Sequence, residues 1–152
     1  MSSADRPCRG VTSYATIGLS KHETGLQSNN KSLRVELLGV CDAKEEIFPN
    51  ILATTAFEIM QSRKCSHGDI IQNAISEYNP DSEMKHVYLT NPFLWEGFET
   101  LKFGDKFVTW LLIVPVSDRE KDYAIKNGWE ALEDEFEKSN IDVFTLKRKS
   151  II

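Results

Sequence analysis

Cys65-Ser66-His67, with Asp69 two residues on, brings a thiol, an imidazole and a carboxylate close together in this chain. Two chemistries use such a set. A cysteine nucleophile needs a base, a third group to orient that base, and an oxyanion site nearby. Zinc needs four ligands, commonly two spaced pairs. The sequence offers no second ligand pair, and Cys and His two residues apart rarely point at each other, so a polar structural loop is the plainer reading. Of the other histidines, His22 lies in a polar stretch and His86 just ahead of an apolar run. There is no phosphate-cradling Gly-rich loop, no nucleophile elbow and no His-Glu-x-x-His. The residues therefore predict no catalytic group, no metal site and no cofactor.

The second concentration of chemistry is acidic. Between Asp118 and Glu137 eight acids face three bases, which accounts for the whole net charge of −5. Carboxylates used for acid–base work need a cleft that pushes their pKa values apart. Here they fall on one face of a helical pattern. With Trp129, Leu132 and Phe136 turned to a core, helical spacing turns Glu130, Glu133, Asp134 and Glu137 outward. Asp118 and Asp122, on a preceding helix, would extend the patch. Two readings stay open, a solvated face or an interface for a basic protein. The same choice applies to Trp95, which sits with Phe93 and Phe98 around Pro92 and Gly97. It belongs either to the core or to an exposed anchor at an interface.

A sequence pI near 5.2 excludes an ordinary nucleic-acid binder, whose footprint is basic. Three charges in the tail Lys147-Arg148-Lys149 do not alter that, and they read as a strand end or solvated terminus. No apolar run approaches the ~20 residues of a membrane span; Trp110 to Val114 is only a pentad. Met1 to Gly10 shows no secretory signal, and Cys8, Cys41 and Cys65 do not make a disulfide framework. A cytoplasmic protein is expected.

The elements that position these residues follow from periodicity. Residues 1–10 read as a flexible leader, and residues 11–150 as one domain. Val11 to Ile17 is β-branched and reads as a strand. Ser32 to Cys41 alternates, with Leu33, Val35, Leu37 and Cys41 on one face and Arg34, Glu36 and Leu38 on the other; it predicts a half-buried strand antiparallel to the first. A helix start at Asp42 or Pro49 leads into Leu52, Ala56, Ile59 and Met60 at helical spacing. Residues 66–85 read as a long irregular loop, a type that is often functional. Val87 to Thr90 is a short strand. Gly104-Asp105 joins two strands into a hairpin, and the second, Lys106 to Pro115, is apolar enough to be central. It should bury Trp110, Leu112 and Val114 on one face and Leu111 and Ile113 on the other. Ser117-Asp118-Arg119-Glu120 is a capping box, Asn127-Gly128 ends that helix, and a second helix runs from Trp129 to Ser139. Asp142 to Leu146 is a last strand candidate. The order predicts an α/β sandwich: a mixed, mostly antiparallel central sheet flanked by helices.

Five sets of residues, in order, resemble the suppressor of fused family in its bacterial single-domain form. Arg6-Pro7 and Thr16-Ile17-Gly18-Leu19-Ser20 resemble its first strand and Gly-Met-Ser turn, and Val35-Glu36-Leu37 its next strand. His67-Gly68-Asp69-Ile70 with Asn73 is similar to its Gly-His-plus-Asn loop. Leu111 to Pro115, Asp118-Arg119-Glu120 and Lys126-Asn127-Gly128 resemble its strand, Leu-Pro, acidic and Gly signature. Ala131-Leu132, Asp142-Val143 and Arg148-Lys149-Ser150 resemble its closing segment. Leu19 stands for the usual Met, Lys149 for the usual Pro, and a helix common before the first strand is not seen. The resemblance implies a protein-binding domain without chemistry of its own: an immunity protein, or antitoxin, that neutralises a cognate bacterial toxin, often a nuclease. A regulatory scaffold that sequesters another protein, such as a transcription factor, and a small-molecule-binding domain are the alternatives.

Overall fold

The computed structural model describes residues 1–152. Two twelve-residue strands form its centre, β4 (Lys31–Asp42) and β8 (Lys106–Ser117), and they run parallel from Ser32↔Lys106 to Leu38↔Leu112. A parallel pair needs a crossover. The chain makes it through α1 (Phe48–Ser62), β5 (Ile70–Ile71), β6 (Met84–Thr90) and β7 (Leu101–Phe103). Outside β4 lie β2 (Val11–Ala15) and then β1 (Ser2–Ala4); outside β8 lie β6 and then β5. β3 (Gln27–Ser28) and β7 add short antiparallel arms to β4 and β8, so only the central pairing is parallel. The sheet is mixed and mostly antiparallel, as its alternation predicts.

One face of the sheet carries α1. The other carries α2 (Asp118–Asn127) and α3 (Trp129–Ser139). Alternation assigns side chains to the two layers. Val35, Leu37, Leu111 and Ile113 pack with Phe48, Ile51 and Ile59 of α1. Leu38, Val40, Leu112 and Val114 pack with Ala124 and Leu132 of the other helices, with Trp110 partly buried beside them. Both face assignments for the central strand hold. Gly39 is dictated by α1: a Cβ there would come within 2.5 Å of the Phe48 ring. The β4 ladder ends at Leu112, so Pro115 lies where β8 has only β6 beside it, and the strand runs on to Ser117.

Several expectations are corrected. Residues 1–10 are not wholly a leader, because Ser2–Ala4 pairs with Thr12–Tyr14 at the sheet edge. β4 is buried on both faces over much of its length, Glu36 included. β6 begins three residues early and takes in His86. Within the 66–85 loop, Ile70–Ile71 pairs with β6. Asp142 to Leu146 is not a strand. The Asp142 carboxylate accepts the Phe144 N–H (2.9 Å), drawing the backbone into a turn, while Leu146 enters the core.

Candidate functional site

Strand β6 places His86, Tyr88 and Thr90 at alternate positions, all on the face that α2 and α3 cover. Each meets a helix carboxylate. His86 Nδ1 accepts the Asn73 N–H (2.9 Å), so its proton lies on Nε2, which donates to Asp118 (2.9 Å). The Tyr88 hydroxyl (2.8 Å), the Thr90 hydroxyl (2.8 Å) and His67 Nε2 (2.7 Å) all converge on Oε1 of Glu133. Burial works against charge on Glu133, yet these bonds outweigh it and hold the carboxyl below the ordinary range. Burial, then the Glu133 carboxylate, pushes the Tyr88 phenol far up.

Glu133 therefore faces inward, against the outward orientation expected of it. It lies four residues after Trp129 and three before Phe136, which is on their stripe of the helix. Trp129 itself is 38% exposed, and its ring lies tilted by 42° against His67 with centroids 4.2 Å apart. Gly68 lies beneath it at φ +92, and a Cβ there would meet the ring at 2.7 Å.

Beside Glu133 opens a groove of about 510 Å³ between the end of β6, the inner face of α3 and the segment that follows it. Its walls are Leu94, Phe136, Ile141, Val143 and Phe144, with Phe93, 61% exposed, and Glu137. Glu130, Asp134 and Glu137 are exposed along α3, and Asp122 on α2. Asp118 is exposed but engaged, its carboxyl held down by the His86 and then the Lys121 hydrogen bond. Trp95 is half-buried against the core; its ring packs on Phe98 (5.8 Å), which packs edge-on against Trp110 (5.6 Å).

Cys65 and His67 are not brought together. The buried Cys65 thiol lies against the Arg63 carbonyl, and burial, then Asp69, pushes it up to about 11. His67 is spent on Glu133, and Asp69 accepts the Ser66 N–H (2.8 Å). The arrangement provides a fixed anionic acceptor at the floor of an apolar groove, suited to holding a donor.

Residue reading missed Arg148. It is no solvated terminus: its guanidinium forks onto buried Glu120 (2.6 and 2.8 Å) and donates to the Pro115 carbonyl (2.7 Å). Glu120 also completes the Ser117 capping box. The same logic explains Thr16 to Ser20 with Val35 to Leu37. Glu36 accepts the Thr16 hydroxyl and the Gly18 and Ser20 N–H groups, closing a turn.

Residues 1–149 match the family described as suppressor of fused protein (SUFU). The chain belongs to that family. It is 40% identical over 154 residues to the immunity protein YqcF of Bacillus subtilis (strain 168), a match spanning 100% of this chain and 80% of that protein. Its SUFU fold superposes on a suppressor of fused homolog from Neisseria gonorrhoeae FA 1090 with TM-score 0.69 and 16% identity, over 93% of this chain and 71% of that one. The Sufu–Fu complex gives TM-score 0.67 at 16% identity (97% and 72%). Drosophila Suppressor of Fused gives 0.66 at 14% (93% and 39%). At these identities the structural likeness concerns the fold alone. No helix of this SUFU domain is long and apolar enough to cross a membrane.

Proposed function

We propose that this SUFU domain is the immunity half of a toxin–immunity pair and neutralises its cognate toxin by direct binding, without catalysis. The observation that carries this reading is the 40% identity, over the whole chain, to immunity protein YqcF. The charge distribution supports a nuclease as the toxin. A nuclease must bind phosphates and so presents a basic surface. Against it this chain offers the carboxylates of Glu130, Asp134 and Glu137, with Asp122 and the partly engaged Asp118 beyond. Trp95, half-buried, is a peripheral contact in this reading.

Isolated surface charges are each worth roughly 0–1 kcal/mol. Grouped, they act mainly on the association rate, which salt then screens. The test uses the cognate toxin and stopped-flow association. Wild-type protein should bind with a rate that falls steeply with salt. The Glu130→Lys, Asp134→Lys, Glu137→Lys variant should fold normally and associate at least tenfold more slowly. Equal rates for the two proteins would return the acidic face to plain solvated surface.

A further inference from the structure

We propose that the groove beside α3 receives an arginine side chain of the partner, whose guanidinium donates to the free oxygen of Glu133. This rests on the immunity reading only for the partner's identity as a protein. Every intramolecular hydrogen bond to the Glu133 carboxylate goes to Oε1. Oε2 takes none and is not sealed from solvent, and Glu133 lines the groove, so an acceptor with unused capacity belongs to its wall. Glu137, one turn along α3, lines the same groove, and no lysine or arginine of the chain does. The nearby cations are spoken for: Lys138 pairs with Glu135 (2.7 Å) and Arg148 with Glu120. Two carboxylates thus share a concave site that holds no lysine or arginine, with His67 engaged on the Oε1 side alone.

The walls choose among cations. Phe136, Val143, Phe144 and the exposed Phe93 suit a side chain with an apolar stem and a charged tip. A guanidinium is less strongly hydrated than an ammonium, stacks on aromatic rings and donates to several acceptors at once, which favours arginine over lysine. The chain uses that combination internally, where the Arg148 guanidinium lies 5.6 Å from the Phe136 ring while forking onto Glu120. The volume, about 510 Å³, exceeds the needs of one side chain and leaves room for its neighbours in a peptide.

The test titrates the full-length, ¹⁵N-labelled protein with N-acetyl-argininamide and, separately, with the neutral isostere N-acetyl-citrullinamide. Argininamide should shift the Thr90, Asn91, Glu137 and Asn140 amides saturably, with citrullinamide at least tenfold weaker. Glu133→Gln, which keeps the shape and removes the charge, should weaken argininamide at least tenfold. Phe93→Ala, at an exposed position, should weaken it severalfold. Glu77→Gln, exposed and remote, should change nothing. Absence of saturable shifts, equal binding of citrullinamide, or shifts centred elsewhere would overturn the proposal. Should Glu133→Gln fail to fold, the citrulline comparison and Phe93→Ala decide. The probe reads the groove alone, so its failure leaves toxin binding untouched, and a failure of toxin binding leaves the titration unchanged.

Discussion

Arg148 and Glu120 form an ion pair in which both partners are withdrawn from water, with side-chain exposures of 6% and 0%. Removing one member of such a pair strands the other's charge, at a cost of about 3–5 kcal/mol. Arg148→Ala should therefore lose about that much stability in urea denaturation, a large share of the ~5–15 kcal/mol typical of a domain. A loss below ~1 kcal/mol would contradict the buried pair. Glu133 and Glu36 make a prediction in pH. Burial opposes charge on each, but hydrogen bonds prevail and hold both carboxyls below their ordinary range. A carboxyl lowered on folding adds stability above its unfolded value, about 4.3 for Glu. That stability is lost as pH falls through the lower folded value. The urea midpoint should therefore decline as pH drops below the ordinary carboxylate range. Glu36→Gln and Glu133→Gln should each flatten the decline, and an unchanged slope would contradict these assignments.

At the scale of elements, legibility followed the strength of the local signal. β8 was readable because an apolar run ending in a capping box has few alternatives, and β4 because Val35, Leu37 and Cys41 alternate. What escaped depends on contacts distant in sequence. Arg148 finds its carboxylate 28 residues back, and Oε1 of Glu133 its partners 43 to 66 residues away. Helical spacing alone separates Glu133 from Glu130, because its place between Trp129 and Phe136 puts it on the inner stripe, but the groups that bind it lie far off in sequence. The Asp142–Leu146 segment misled because its β-branched and aromatic residues fit a strand, while the Asp142 side chain binds its own backbone. The central strand gives the prediction for this scale. Leu112→Asp would bury a charge between β8 and the α2–α3 layer at a cost on the order of 5 kcal/mol. It should abolish cooperative unfolding and soluble yield. Phe103→Asp, on the exposed arm β7, should change stability by less than about 0.5 kcal/mol. Soluble, cooperatively folding Leu112→Asp protein would contradict the strand's central place.

For the whole molecule, the layering gathers the charge. The net −5 of Asp118 to Glu137 belongs to two helices on one face of the sheet, and the rest of the chain is neutral. Glu120 and Glu133 turn inward to hold the fold and the groove. The remaining carboxylates give this side a negative field, which under the proposed function would attract and orient a basic partner. Growth of cells that express a cognate toxin, with and without this chain supplied in trans, tests the central claim most directly. The account predicts that the wild-type chain restores growth and co-purifies with the toxin, whereas the triple lysine variant, equally folded, does not protect. Toxicity undiminished by the folded wild-type chain, with no complex recovered, would contradict it.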